Sequence, residues 1–173
     1  RSANKKVKFN GIELITNEVN DKSFKNIDLV FASAGGSISK RWLPCIKEQE
    51  ALLIDNSSAF RMQKDVPLIV PEVNPEEAHN HNGIISNPNC TTILLALVLF
   101  PLHSISPIRR VIVSTYQSAS GAGNLAMEEL KFLTGKYLEG EPQESKILPY
   151  SLAFNLFLHN SPMLDNSYCE EEM

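Results

Sequence analysis

Cys90 occupies the position in this sequence where a thiol would be most reactive. It follows the turn-forming residues 87–89 and precedes an apolar run that predicts a buried helix over residues 91–100. The first turn of a helix has unsatisfied N–H groups and the positive end of the helix dipole, which stabilise a thiolate by about 1 kcal/mol. A thiolate is a good nucleophile toward an aldehyde or an acyl phosphate. Cys90 is therefore a candidate nucleophile, and the alternative is a buried structural cysteine.

The other two cysteines are assigned no role. Cys45 falls inside a predicted helix after Pro44, without polar neighbours, which indicates a core position. Cys169 lies in an acidic loop beside Glu170. Three widely spaced cysteines fit reduced thiols better than a disulfide framework.

The four histidines do not predict a metal site. His79 and His81 could be ligands, but no cysteine or carboxylate pattern accompanies them, so a solvated loop is favoured and no metal is expected. His103, at the end of a predicted helix, and His159 are interpreted as structural residues.

The elements that must position these side chains alternate between strands and helices. Apolar runs bounded by turn residues predict strands over residues 27–32, 51–54, 67–70, 83–85 and 108–116. Helical patterns predict helices over residues 39–50, 91–100 and 123–134. This alternation predicts an α/β fold with a mainly parallel, doubly wound sheet.

Polar clusters stand where four of the predicted strands end. They cover residues 33–37, 56–61, 87–92 and 117–123. In doubly wound sheets, ligands bind at the carboxyl ends of the strands. Turn chemistry alone also places Ser, Asn, Gly and Pro there, so a single cluster decides nothing. Four clusters in register favour a ligand site at one edge of the sheet.

Composition and charge exclude some functions. The chain has 173 residues, of which 43% are hydrophobic and 21% charged, as is typical of a globular protein. A net charge of −4 argues against nonspecific nucleic-acid binding. The apolar run at residues 93–102 is too short for a membrane span, which needs about 20 residues, so no membrane partner is expected. The chain opens at Arg1 and closes at Met173 as a piece of a longer protein would, so a missing targeting signal carries no weight.

Two motifs carry a resemblance to a known family. They are SNPNCTT at residues 86–92 and STYQSASGAG at residues 114–123, and three shorter matches lie at residues 55–62, 70–74 and 153–155. In this order they resemble aspartate-semialdehyde dehydrogenase over nearly the whole chain. The resemblance implies NADPH-dependent reduction of L-aspartyl-4-phosphate to L-aspartate-4-semialdehyde through a cysteine thioacyl intermediate, with release of phosphate, in lysine, methionine and threonine biosynthesis.

The resemblance also implies a domain organisation. Residues 1–89 would form a Rossmann-type NADP-binding domain without its N-terminal strand, turn and helix, and residues 90–173 would begin an α+β catalytic and dimerisation domain. The family is usually dimeric, so a homodimer is expected for the complete protein. The location would be cytoplasmic or plastid, the latter because the commoner bacterial form has a proline near Leu158 and residues 153–160 resemble the plant or plastid branch more closely.

Catalytic and substrate-binding roles transfer residue by residue. Cys90 matches the family nucleophile, and Gln117 matches the residue that helps orient the acyl intermediate. Arg61 matches the arginine that holds the phosphate, which suits a planar guanidinium. Glu171 matches a carboxylate that contacts the substrate amino group.

Cofactor-binding roles transfer in the same way. Arg1 and Ser2 resemble residues that receive the 2′-phosphate of NADP, and Gly123 resembles a glycine on the nicotinamide side. The loop that passes under the cofactor matches Ser33, Ala34, Gly35 and Gly36.

Departures from the family pattern leave alternatives open. The glycine-rich fingerprint would precede Arg1, and the acid–base histidine and a second substrate arginine would follow Met173, so these 173 residues alone are expected to be inactive. N-acetyl-glutamyl-phosphate reductase shares the thiol chemistry, but Asn89 and Thr91 disfavour it, because that family usually has glycine before the cysteine and Tyr-Pro after it. A noncatalytic truncated product that retains the fold is the other alternative.

Overall fold

A small parallel sheet and the loops at its edge hold Arg61, Cys90 and residues 33–36. The computed structural model describes residues 3–158 and 161–168. The chain forms two compact units, Arg1–Val111 and Ile112–Met173. The domain boundary expected between residues 89 and 90 comes from the family resemblance, whereas the units are defined by compactness. That boundary stays a prediction.

A hairpin that the sequence analysis did not anticipate opens the first unit. Strands β1 (Lys6–Phe9) and β2 (Ile12–Ile15) pair antiparallel. Asn10 and Gly11 join them with φ angles of 47° and 81°. Positive φ at both positions is what a two-residue hairpin turn requires, and Asn-Gly is its strongest sequence signal.

Three parallel strands form the central sheet in the order β3, β4, β5. They are β3 (Leu29–Ala32), β4 (Leu52–Asp55) and β5 (Ile84–Ser86). Helix α1 (Gly36–Glu48) connects β3 to β4 as a parallel crossover requires. These elements confirm the predicted strands at residues 27–32, 51–54 and 83–85, and they confirm the predicted helix with a start three residues earlier.

The core lies on one face of this sheet. Leu53 and Ile84 are 0% and 3% exposed, and they pack in one cluster with Ile46 of α1 and with Phe60 from the loop after β4. Burying a side chain of this size stabilises the fold by roughly 1.5–3 kcal/mol. Because side chains alternate along a strand, Asp55 lies on the same face as Leu53.

The strand predicted over residues 67–70 is wrong in extent. The segment forms a single parallel bridge, Leu68 to Ser86. Ser86 N donates to Pro67 O at 3.0 Å, and Ile69 N donates to Ser86 O at 3.0 Å. Pro67 has no N–H, so the pairing cannot extend through it.

Helix α2 (Cys90–Ile105) is longer than predicted, since it continues through Pro101. Its last turn closes where Ser106 N donates to Leu102 O at 2.9 Å. His103 Nδ1 accepts from Ile108 N at 3.0 Å, a contact that favours the structural interpretation. Within the described residues, no helix is long and apolar enough to cross a membrane.

The predicted strand at residues 108–116 is also wrong. The segment has no assigned secondary structure and belongs to no sheet in the described part of the chain. Val111 and Ile112 are 45% and 82% exposed. A Val- and Ile-rich run becomes a strand only when a neighbouring strand and a packed face are available.

The second unit is built around helix α3 (Asn124–Leu138), which confirms the helix predicted over residues 123–134. A single 3-10 turn, Ala119–Ala122, precedes it. Ala126 and Leu133 are the buried residues of α3.

Candidate active site

Backbone hydrogen bonds beyond the strand ends bring three of the four polar clusters together. Asn56 N donates to Ala32 O and Asn87 N donates to Asp55 O, both at 2.9 Å. The ladder of the parallel sheet therefore continues one residue past the strands. The loops after β3, β4 and β5 consequently lie side by side at one edge. The fourth cluster, residues 117–123, belongs to the second unit.

Arg61 is fixed at this edge. The neighbouring Phe60 is 2% exposed and anchors the loop in the core. The half-buried guanidinium donates from Nε to Asn87 O at 2.9 Å and from Nη2 to Asn56 O at 3.5 Å. Asn87 Nδ2 also donates to Asn56 Oδ1 at 3.3 Å. These contacts orient a planar fork of donors of the kind that binds phosphate oxygens.

Cys90 is the first residue of α2, and it is exposed. Asn89 caps the helix, because its Oδ1 accepts from Thr91 N at 2.9 Å and from Thr91 Oγ1 at 2.5 Å. Cys90 Sγ lies 3.8 Å from the same Oδ1. An Asn side chain at an N-cap typically stabilises a helix by about 1 kcal/mol relative to Ala. The predicted helix-start position of the thiol is confirmed.

The loop between β3 and α1 leaves room for a bound group. Gly35 has φ +98°, and a Cβ placed on it would meet nothing within 4 Å. A Cβ on Gly36 would lie 3.3 Å from Ala59 Cβ. Ser33 and Ala34 are exposed. A small-residue loop that opens a helix fits the phosphates of a dinucleotide, because helix N-termini attract anions.

The remaining predicted site residues belong to the second unit or lie outside the described residues. In the second unit, Gln117 is exposed, and Gly123 has φ +92° and forms the N-cap of α3. Arg1, Ser2 and Glu171 lie outside the described residues, as do Cys169 and His159.

A buried carboxylate beneath the edge was missed by the sequence analysis. Asp55 is 0% exposed, and it accepts from Ser39 Oγ at 2.5 Å and from Ser57 Oγ at 2.6 Å. Ser86, its register partner on β5, is also 0% exposed. The parity of the strand could have revealed Asp55, because it shares its face with the core residue Leu53.

Cys45 differs from its predicted surroundings. It packs against the core as expected, but its Sγ lies 3.8 Å from Asp21 Oδ1, so a polar neighbour is present. Burial, followed by the charges of Asp21 and Glu48, raises the pKa of the Cys45 thiol. A higher pKa leaves less thiolate near neutral pH, so this cysteine is the less reactive of the two described ones.

Two sequence families match the chain. Residues 1–81 match the semialdehyde dehydrogenase NAD-binding domain, and residues 99–173 match the semialdehyde dehydrogenase dimerisation domain. The chain belongs to the semialdehyde dehydrogenase family. It carries the NAD(P)-binding domain of that family and part of the dimerisation domain.

Curated relatives indicate which kind of semialdehyde dehydrogenase the chain is similar to. The chain is 58% identical over 173 residues to aspartate-semialdehyde dehydrogenase of Synechocystis sp., and the match covers 100% of the chain and 51% of the relative. It is 60% identical over 173 residues to the enzyme of the same name from Prochlorococcus marinus, covering 100% of the chain and 50% of the relative. The chain thus spans about half the length of the curated relatives it matches. These relatives do not favour the N-acetyl-glutamyl-phosphate reductase alternative.

A solved structure shares the fold. Aspartate semialdehyde dehydrogenase II from Vibrio cholerae, crystallised in complex with ASA, has a TM-score of 0.90 and 38% identity to the chain. The match covers 99% of this chain and 52% of that one. The doubly wound α/β fold expected from the sequence is therefore confirmed.

Proposed function

We propose that the protein carrying this chain is an aspartate-semialdehyde dehydrogenase. It would reduce L-aspartyl-4-phosphate with NADPH to L-aspartate-4-semialdehyde and phosphate, and it would act as a homodimer. The observation that carries the proposal is that Arg61 is hydrogen-bonded to Asn87 O, on the loop that leads directly to Cys90. A phosphate-binding guanidinium and a nucleophilic thiol on adjoining loops suit an acyl phosphate substrate.

The chemistry assigned to this chain begins with the thiol. The Cys90 thiolate attacks the acyl carbon, the bond from that carbon to the phosphate oxygen breaks, and phosphate leaves with the electron pair toward Arg61. The aspartyl group is then a thioester on Cys90. Bound NADPH supplies the hydride that brings an acyl group to the aldehyde level. The sulfur leaves as thiolate when the aldehyde is released, which regenerates Cys90.

Other residues support this chemistry by position. Gln117 is proposed to orient the acyl group, and Glu171 is proposed to bind the substrate amino group. Residues 33–36 are proposed to hold the cofactor phosphates, because the open space at Gly35 admits a ligand close to the backbone. Gly123 would face the nicotinamide side.

The phosphate role of Arg61 is tested by Arg61→Lys, which keeps the charge and removes the planar fork. We expect the KM for phosphate in the reverse direction to rise at least tenfold, while the KM for NADP changes less than twofold. Arg41→Lys is the matched control, because Arg41 stacks on Trp42 of α1 at 4.9 Å instead of binding the loops. An unchanged phosphate KM in Arg61→Lys would reject the phosphate-binding role of Arg61. If the unmodified protein shows no turnover, the alternative of a noncatalytic truncated product would stand.

We also propose that the cofactor is NADP rather than NAD. Residues 1–25 carry six basic and three acidic side chains, a local positive excess in a chain of net charge −4. Arg1 and Ser2 would contact the 2′-phosphate. Arg1→Ala should lower the ratio of kcat/KM for NADP to that for NAD by tenfold or more, whereas Lys25→Ala should leave it within twofold. Equal kcat/KM values for the two cofactors in the unmodified protein would contradict the proposal.

A further inference from the structure

Asp55 is a buried carboxylate that the proposed chemistry does not use. It ends β4 directly beneath the loop that carries Arg61, and none of its surface is exposed. Among the described residues, both hydrogen-bond donors that reach its oxygens are serine hydroxyls, Ser39 Oγ and Ser57 Oγ. A carboxylate removed from water needs such donors, so breaking either contact would cost free energy.

The contact with Ser39 leads to the cofactor loop, residues 33–36, which are proposed to hold the cofactor phosphates. Ser39 lies in the first turn of α1, and its backbone N donates to Gly35 O at 3.1 Å. Its hydroxyl lies 3.5 Å from the same carbonyl oxygen. Ser39 is therefore bonded to Asp55 through its side chain and to Gly35 through its backbone, so it fixes the start of α1 against the end of β4.

The contact with Ser57 leads to the phosphate loop, residues 56–61, which carries Arg61 and is proposed to bind the phosphate of the substrate. Ser57 Oγ donates to Asp55 Oδ2 at 2.6 Å and accepts from Ala59 N at 3.2 Å. This turn brings Ala59 within 3.3 Å of the position that a Cβ on Gly36 would occupy. The two loops thus approach each other closely just before Arg61.

We propose that Asp55 is a positioning residue that ties the cofactor loop to the phosphate loop through Ser39 and Ser57. The inference rests on the proposed function, because it assigns each loop to one ligand. In this arrangement Ser57 transmits the position of Asp55 to Arg61, and Ser39 transmits it to Gly35. Neither serine needs to contact substrate or cofactor.

Ser86 provides a matched control. It is paired with Asp55 in the sheet register, so its side chain lies on the same face, and it is 0% exposed. Its hydroxyl has no hydrogen-bond partner among the described residues. Ser86→Ala therefore removes the same atom as Ser57→Ala, from a more deeply buried position, without breaking a contact to the carboxylate.

The test compares serine variants in the protein that carries this chain, since replacing Asp55 itself could unfold the domain. Losing one hydrogen bond to a charged group corresponds to about a tenfold change in an equilibrium constant. We expect Ser57→Ala to raise the KM for phosphate about tenfold with little change for NADP. Ser39→Ala should raise the KM for NADP about tenfold with little change for phosphate. Ser86→Ala should change neither, and Ser57→Thr, which keeps the hydroxyl, should restore the phosphate KM.

The outcomes separate the inference from the proposed function. If Ser57→Ala and Ser39→Ala match Ser86→Ala, or if each raises both KM values equally, the positioning role of Asp55 is wrong. If Arg61→Lys itself leaves the phosphate KM unchanged, the phosphate role of Arg61 on which the proposed function rests is wrong, and the inference falls with it. A raised phosphate KM in Arg61→Lys, joined to the split between the two serine variants, supports both.

Discussion

At the residue scale, the two described thiols differ in ways that determine reactivity. Cys90 is exposed and stands in the first turn of α2, where backbone N–H groups stabilise negative charge. Cys45 is half-buried beside Asp21, and burial together with nearby carboxylates raises its thiol pKa. The environment therefore favours one nucleophile over the other, independently of any sequence motif.

The first prediction follows from this difference. Iodoacetamide at pH 7 should modify Cys90 at least ten times faster than Cys45, as peptide mass spectrometry can measure, and the acyl phosphate substrate should slow the reaction at Cys90 only. Cys90→Ser should retain less than a few per cent of activity, whereas Cys45→Ser should retain most of it. Faster labelling of Cys45, or an active Cys90→Ser variant, would contradict the assignment.

The sequence was sufficient for some site residues and insufficient for others, for physical reasons. Cys90 could be found because a helix start after a turn is a local feature. The bond of Arg61 to Asn87 O joins residues 26 positions apart and depends on strand order, which local patterns do not encode. Asp55 was missed because a carboxylate at a strand end normally indicates a turn, and only the register shows that its side chain faces the core.

At the element scale, one side chain of α3 organises the loop that follows the helix. Glu129 accepts from Ser145 Oγ at 2.6 Å and from the backbone N atoms of Lys146, Ile147 and Leu148 at 2.6, 2.9 and 3.2 Å. Burial alone would raise the pKa of Glu129, but these hydrogen bonds outweigh it and lower the pKa to about 2. The ionised carboxylate is thus the form that holds the loop.

The second prediction concerns the pH dependence of this loop. Because the folded pKa lies below the ordinary value of 4.5, the stabilisation is complete above pH 4.5 and is lost as pH falls toward 2. Glu129→Gln should lower the free energy of unfolding of the second unit by about 1–3 kcal/mol at pH 7 and flatten its acid dependence.

Amide hydrogen exchange at residues 146–148 gives the local measurement. Exchange should be faster in Glu129→Gln at pH 7, and the difference from the unmodified protein should shrink as pH approaches 2. Glu128→Gln is the control, because Glu128 bonds Asn124 on its own helix rather than the loop. Equal protection in both variants would show that Glu129 does not hold the loop.

Element prediction failed at two segments for different reasons. The hairpin of β1 and β2 has a clear Asn-Gly turn signal, so it is predictable from local sequence. Residues 108–116 have strong β propensity, yet no described strand pairs with them. Propensity describes how a residue fits a sheet and cannot supply the neighbouring strand.

At the scale of the whole molecule, large apolar surfaces remain open in this chain. Helix α2 buries no residue completely, and Leu94, Val98 and Ile105 are 66%, 61% and 84% exposed. Phe31, on the face of the sheet opposite the core, is 74% exposed. Apolar patches of this kind usually mark an interface, and the chain spans about half the length of its curated relatives.

The last prediction uses this exposure. A polypeptide limited to residues 1–173 should bind the dye ANS and self-associate in analytical ultracentrifugation, because α2 offers apolar side chains to water along its length. Leu94 and Val98 are four residues apart and therefore share a face of the helix. Leu94→Gln combined with Val98→Gln should reduce both dye binding and association without lowering the helical signal in circular dichroism. Thr92→Gln is the control, since this exposed position is already polar and should leave association unchanged. A monodisperse monomer that binds no dye would mean that the α2 surface is covered within the chain itself, and the interface interpretation would then be wrong.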